Sequence, residues 1–388
     1  ILAVNHPTMF LEPCLLACFL PRQLHFLTRG DIFKHPVLDA ILRSLNLIPI
    51  FRMKDGGFGQ VKNNFNTLEY CFRALQENKV ILIMAEGHCV QQKRLQSIKK
   101  GTARLAFGTY ERFGDLDLHI VPVGVNYTYP DDFRSEVMFE FGPPIKVNEY
   151  HELYDTNPPK AIKSLTNEVA EHLRKLVIVI EDEADETVVE QHFTLYRNDH
   201  PEGILPVFST DPKRLIAEKW IAEHFNQMPK MQKRKLKEET EAYFQCLDQH
   251  QVNDEAIAQK VDRHFDRTLI LVMGFLPFLL GYVCNFLPLY GAEKVGEKVK
   301  DQEDRLSIVI TTAMILYFVY YLLLLSLAAY MNHSYFWIFI AFVPMWGYFA
   351  LLYRELYYKW KGNRKLNRLE PQLVGKLKND RNKIVSWS

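Results

Sequence analysis

Three uncharged apolar segments crowd the C-terminal part of this sequence: 268–290 (TLILVMGFLPFLLGYVCNFLPLY), 307–330 (SIVITTAMILYFVYYLLLLSLAAY) and 335–353 (YFWIFIAFVPMWGYFALLY). Each reaches the roughly 20 residues that an α-helix needs to cross the hydrocarbon core of a bilayer. Lipid offers the backbone no hydrogen-bond partners, so segments of this kind must close their own bonds as helices. Buried core helices of a soluble domain are the competing reading, and three of them so close together make it the weaker one. The sequence therefore predicts an integral membrane protein with a C-terminal helical membrane domain.

Upstream of residue 268 the pattern changes. Strand-like and helix-like segments alternate through the first half, the mark of an α/β layered domain. Strands are expected at Ile1–Val4, Leu47–Phe51, Val80–Met84, Leu118–Val125 and Glu136–Phe141, the last closed by Gly142-Pro143-Pro144. Helices are expected at Pro13–Leu20, Pro36–Leu45, Val61–Gln76, Thr102–Phe113 and Pro159–Leu176. The helix near Val61–Gln76 follows a flexible Gly56-Gly57-Phe58-Gly59 loop and should turn Phe65, Leu68, Phe72 and Leu75 to one face. From 186 onward the strand pattern stops, and Arg214–Phe225 and Lys230–Leu247 have charged helical periodicity.

The expected fold is an α/β domain over 1–185, a mixed sheet flanked by helices. A helical accessory region over 186–267, membrane segments over 268–353 and a basic tail over 354–388 should follow. The sequence enters a strand at once with no initiator methionine, so the first domain is expected to be incomplete at its N-terminus.

Charge and cysteine content narrow the chemistry. Lys and Arg total 47 against 46 Asp and Glu, a net charge of +1, so no global field recruits nucleic acid. The six cysteines form no CxxC pair, which fits a reducing compartment and small core thiols rather than disulfides or zinc ligands. His88 and Cys89 are adjacent, but no second ligand pair stands at zinc spacing, so no metal is expected.

Four features lie at expected strand ends: Asn5-His6-Pro7 with Glu12, Arg52, Glu86-Gly87, and Pro122-Val123-Gly124. Strand ends of an α/β sheet are where loops converge on a site. An alcohol is a poor nucleophile at neutral pH, and a positioned imidazole that takes its proton cures this. The imidazole needs an acceptor on its other nitrogen to fix the tautomer and stabilise the imidazolium, and Glu12 has the reach for it.

In this order the four features resemble the blocks of the glycerolipid acyltransferase family, the PlsC-like fold, over roughly residues 1–150. NHPTMFLEP resembles the longer-spaced first block, five residues between histidine and acid, with glutamate where aspartate is usual. IPIFR, ending in Arg52, resembles the second block, and Lys54 lies just beyond. MAEG resembles the third block, but His88-Cys89-Val90 follow where the family has a small hydroxyl and often a basic residue. KKG at 99–101 resembles the segment after it, and IVPVGVNY at 120–127 the closing strand.

The resemblance implies His6 as general base and Glu12 as its orienting acid. It implies acceptor binding by Arg52, Glu86 and Gly87, with Lys100 adding positive charge, and acyl-side lining by Pro122, Val123 and Gly124. The reaction it implies moves an acyl group from acyl-CoA or acyl carrier protein to glycerol 3-phosphate or 1-acylglycerol 3-phosphate. It needs no bound cofactor and no covalent acyl-enzyme. A membrane-bound thioester or lipid hydrolase and a non-catalytic lipid-binding protein are the alternatives.

The catalytic domain is expected to face the cytoplasm beside the lipid bilayer. Three full crossings would put the basic tail outside, against the usual positive-inside bias. Segment 268–290, interrupted by Pro277 and Pro288 and by the glycines Gly274 and Gly281, is therefore expected to enter and return on one face, leaving 307–330 and 335–353 as a hairpin.

Overall fold

A computed structural model describes residues 1–51, 64–129, 135–201, 203, 208–258 and 264–387. The expected Gly56–Gly59 loop, Arg52 and Lys54 lie outside the described residues. The chain divides into two compact units, Ile1–Val179 with Asp301–Ser307, and Ile180–Lys300 with Ile308–Ser388.

The first unit is built on a mixed sheet of seven strands: β1 (Leu2–Val4), β2 (Leu24–Arg29), β3 (Leu47–Ile50), β4 (Val80–Met84), β5 (His119–Tyr127), β6 (Val137–Phe141) and β7 (Ile145–Lys146). The order is β3-β2-β4-β1-β5-β6, with β7 paired to the start of β5. All pairs are parallel except those that β5 makes with β6 and β7. The short β1 is central: Leu2, Ala3 and Val4 face Leu82, Ile83 and Met84 on one side and Val121, Pro122 and Val123 on the other.

Strand alternation divides the core. Ile1, Ala3, Ile81, Ile83 and Ile120 turn to the face covered by helices α3 (Asn64–Gln76), α4 (Gly101–Phe113) and α6 (Pro158–Leu176), where Cys71, Phe107, Leu165 and Leu173 are buried. The one-turn helix α5 (His151–Thr156) precedes α6. Leu2, Val4, Leu24, Leu82, Val123 and Val125 turn to the other face, against Leu16 of α1 (Leu11–Phe19). A fully buried side chain such as Phe107 contributes about 1.5–3 kcal/mol.

Two local expectations need correction. Strand β2 is not anticipated, because His25, Thr28 and Arg29 break its apolar run; His25 is nevertheless buried, its Nδ1 3.3 Å from the Tyr70 hydroxyl. Phe65 is 78% exposed instead of joining the packed face of α3. That helix buries Thr67, Cys71, Ala74 and Leu75, and its first residue, Asn64, exchanges two hydrogen bonds with the Phe51 backbone. The first turn thus ties to the end of the sheet rather than lying over it.

Helix α2 (Pro36–Ser44) buries none of its residues. Val37, Leu38, Ile41 and, just past its end, Leu45 share one face and are 43–62% exposed.

In the second unit, α7 (Glu186–Asp199), α8 (Lys213–Gln227), α9 (Lys230–His250) and α10 (Asp254–Ala258) precede three long helices, α11 (His264–Gly296), α12 (Gln302–Met331, its residues up to Ser307 grouping with the first unit) and α13 (Ser334–Leu366). These three are long and apolar enough to cross a membrane. The basic tail beyond them folds as α14 (Pro371–Val385). Arg381 on α14 is buried and reaches Asp254 at 2.8 Å, and the Tyr243 hydroxyl donates to the same carboxylate at 2.6 Å. A second buried pair joins Arg197 to Glu218 at 2.7 Å.

Helix α11 runs without a break through Pro277 and Pro288, so 268–290 does not enter and return. The glycines read as a turn signal serve packing instead. A side chain at Gly281 would meet the Trp346 carbonyl oxygen at 2.1 Å, and Gly274 lies against Tyr353. Buried Asn285 donates to the Gly281 and Val343 carbonyls and accepts from the Tyr317 hydroxyl, a polar knot among three apolar helices.

Helices α11 and α13 are antiparallel. Trp360 Nε1 donates to Thr268 Oγ1, the Tyr353 hydroxyl to the Leu271 carbonyl and Lys365 to Gln251, while Lys359 pairs with Glu255. The end of α13 therefore returns to the start of α11, and if both cross, residues before 264 and after 366 share one side of the membrane. Single cysteines replacing Glu241 and Lys378, in a background without native thiols, should both react with an impermeant maleimide or both be shielded. Opposite labelling would contradict the antiparallel pair. Arg381→Ala should destabilise the unit by about 3–5 kcal/mol in chemical denaturation, because it strands Asp254 as an unpaired buried charge.

Candidate active site

The site begins where β1 stops. Asn5 exchanges two hydrogen bonds with the Val125 backbone, at 3.0 Å from its Nδ2 and 2.6 Å to its Oδ1, locking the exit of β1 to β5. The next residue, His6, is held through its own backbone. Its N–H donates to Glu86 Oε2 at 2.6 Å and its carbonyl accepts from Val90 N at 3.1 Å. The other Glu86 oxygen accepts from Gln96 N at 2.8 Å. Glu86 is buried, and both of its oxygens are engaged by backbone donors that tie the loop after β4 to the loop after β1. Burial raises its pKa, while the two donors pull the other way.

The His6 ring has one engaged nitrogen and one open one. Nε2 lies 3.0 Å from Cys89 Sγ, whereas Nδ1 is buried with no partner among the described residues. Burial pushes the imidazole pKa down to about 4, with the His88 charge adding to the effect, so the ring is a neutral base at physiological pH. If Cys89 donates to Nε2, the ring proton sits on Nδ1, the tautomer suited to a carboxylate partner.

Glu12 lies in the first turn of α1, where an acid also suits the helix dipole. It is fully buried; Oε1 accepts from Thr8 N, and Oε2 has no partner among the described residues. Burial raises its pKa to about 7 against the hydrogen bonds that lower it. No hydrogen bond joins His6 to Glu12, so the loop between them holds two complementary buried atoms, each unsatisfied. An unpaired buried polar atom costs about 1–3 kcal/mol. Closing Nδ1–H onto Oε2 would relieve both.

The other expected residues divide. Gly87 takes φ +73°, and a side chain there would also crowd Lys99, so the turn after β4 favours glycine. Lys100 is exposed at the start of α4, with no ion pair among the described residues. Arg52 lies outside the described residues. Pro122 and Val123 pair with β1 inside the sheet, and Val123 joins the face packed by α1. Gly124 backs onto Leu176, whose carbonyl oxygen a side chain there would meet at 2.4 Å.

Cys89, Thr8, Tyr127 and Lys93 were not anticipated. The Thr8 and Tyr127 hydroxyls are 3.5 Å apart, and Lys93 Nζ donates to the Tyr127 carbonyl at 2.7 Å. For Cys89 the available signal was its place two residues after Gly87, where a thiol stands near the expected hydroxyl. Lys93 and Arg94 form a basic pair in the same loop. Among the described residues no three His, Cys, Asp or Glu side chains group as metal ligands.

Comparison with known proteins gives a consistent picture. The acyltransferase family model matches residues 1–126. Glycerol-3-phosphate O-acyltransferase 1 of Saccharomyces cerevisiae is 30% identical over 151 residues, 37% of this chain and 20% of that protein. Glycerol-3-phosphate O-acyltransferase 2 of the same yeast is 29% identical over 112 residues, 29% of this chain and 15% of that protein. An uncharacterized acyltransferase of Schizosaccharomyces pombe is 26% identical over 212 residues, 53% of this chain and 31% of that protein. The chain thus spans less than a third of the length of each of these relatives. No solved structure matches it. The region matched by the acyltransferase family model, residues 1–126, thus contains the β1 exit, His6, Glu12 and Glu86.

Proposed function

We propose that this protein is an O-acyltransferase of phospholipid synthesis, moving an acyl group from an acyl thioester to the hydroxyl of glycerol 3-phosphate or 1-acylglycerol 3-phosphate. One observation carries the reading. A neutral, buried imidazole and a buried carboxylate, each with an open hydrogen-bonding atom, stand at the end of the central strand of an acyltransferase-family domain. The two yeast relatives named as glycerol-3-phosphate O-acyltransferases support the acceptor class.

In this reading His6 is the general base and Glu12 closes on Nδ1 as the imidazolium forms. Glu86 fixes His6 through its backbone, while Arg52, Lys100 and the backbone at Gly87 meet the acceptor phosphate. A guanidinium matches two phosphate oxygens in one plane, which suits Arg52 to that task. The acyl chain runs along the sheet face that carries Val123; Pro122 and Gly124 alternate to the opposite face, where Gly124 packs on Leu176. Among the described residues α1 lies over the buried cluster there, and Met84, Val137 and Phe139 are half-buried around it. The exposed apolar stripe of α2 supports a lipid acceptor drawn from the bilayer. None of the six cysteines forms a disulfide, which supports a catalytic domain in a reducing compartment such as the cytoplasm, supplied with acyl-CoA or acyl carrier protein.

Purified chain given acyl-CoA with glycerol 3-phosphate or lysophosphatidate should form the ester product only when an acceptor is present. Free fatty acid in equal amounts with and without acceptor would indicate a hydrolase instead. His6→Ala should lower turnover by about 100-fold or more.

The pH profile carries its own test. Only ionised Glu12 supports the imidazolium, so activity should rise with pH up to about 7 and then level off. Glu12→Gln should lower activity and remove that limb, and Glu12→Asp should restore it in part. A limb that persists in Glu12→Gln assigns the titration to another group.

A further inference from the structure

Helix α13 does not stop where its apolar run stops. Beyond Tyr353 it continues unbroken to Leu366, and six cations stand between Arg354 and Arg368. Two of them serve packing within the second unit: Lys359 pairs with Glu255 at 2.8 Å, and Lys365 donates to Gln251 at 2.9 Å. Arg354, Lys361, Arg364 and Arg368 are exposed and have no ion pair among the described residues. At about 100° per residue these four fall within an arc of about 80°. Gly362, Asn363 and Leu366, on the opposite side of the helix, are buried. Glu355 lies off the stripe, which therefore presents positive charge alone.

The partner helix sets the height of this stripe. Trp360 donates to Thr268, which opens the apolar run of α11, and Tyr353, which closes that of α13, donates to the Leu271 carbonyl. The edge of the bilayer falls between these two levels, and Tyr357, Tyr358 and Trp360 fill the interval as an interfacial aromatic belt. Lys361 and Arg364 come next, at the height of the lipid headgroups. The Arg364 guanidinium folds back over the Trp360 ring, 5.1 Å from its centroid, so its charge is held at that height. Arg354 stands two turns nearer the bilayer centre than Lys361, and a long side chain there snorkels outward to the same phosphates.

The chemistry of the stripe selects its occupant. A guanidinium forks onto two phosphate oxygens, and an ammonium adds a point charge. A zwitterionic headgroup brings its own cation against the stripe, whereas an anionic one leaves the phosphate charge unopposed. We propose that Arg354, Lys361, Arg364 and Arg368 form a binding site for the headgroup phosphates of anionic phospholipids, in the leaflet that holds the end of α13. The site belongs to the second unit and goes beyond the acyl-transfer reading.

The full chain reconstituted in nanodiscs of equal parts phosphatidylcholine and phosphatidylglycerol tests this, with native mass spectrometry of the lipids that leave bound to the protein. Phosphatidylglycerol should be enriched over its share of the disc. Lys361→Gln with Arg364→Gln should lower that enrichment by about tenfold or more. Lys376→Gln with Lys378→Gln, which removes two exposed charges of α14, should leave it unchanged. Lipids released in the bulk ratio, or an equal loss in the two double variants, would overturn the site. Acyl transfer would still stand, because phosphatidylglycerol is neither donor, acceptor nor product of that reaction. If the first double variant does not fold, a benzophenone side chain in place of Tyr357, on the same stripe, decides. Crosslinks to phosphatidylglycerol beyond its share support the site, and crosslinks in the bulk ratio overturn it.

Discussion

The paired backbone hydrogen bonds of Glu86 are the constraint on which the candidate site depends. One carboxylate oxygen takes the His6 N–H and the other takes the Gln96 N–H, so one buried side chain fixes the exit of β1 and the path of the loop after β4. Asn5 does the corresponding work toward β5. A parallel sheet needs such devices, because adjacent strands end together and their loops have no ladder to follow. With both anchors in place His6 has little backbone freedom, and Cys89 is delivered to its ring by the same loop.

Burial then sets the chemistry. It lowers the affinity of His6 for a proton and raises that of Glu12, so the resting pair holds little charge. His6 Nδ1 and Glu12 Oε2 are both buried and unsatisfied, and in the proposed mechanism that cost would be recovered as the imidazolium forms and the carboxylate meets it.

Much of this was legible in the sequence. Apolar β4 ends on Ala85-Glu86-Gly87, β1 ends on Asn5-His6, and both carry their pattern openly. Strand β2 did not, because a buried histidine looks polar in a sequence and its partner Tyr70 is far away along the chain. That Glu86 bonds two backbone donors could not be read either, since such partners carry no residue signature. In α11 the signals pointed the wrong way: Pro277, Pro288, Gly274 and Gly281 suggest a turn in isolation, and only packing against α13 explains a continuous helix. The basic residues beyond Arg354 suggest a solvated tail, yet Arg381 is buried on a carboxylate far back along the chain.

The central claim, that a buried and neutral His6 backed by Glu12 is the base, can be measured on the ring itself. Carbon-labelled histidine in the full chain, with the His6 signal assigned by its loss in His6→Gln, gives the titration directly by NMR. The account expects His6 to stay neutral well below the ordinary histidine range, near pH 4, and to shift when Glu12→Gln removes the carboxylate. A His6 signal that titrates near 6.5 and ignores Glu12→Gln would contradict it.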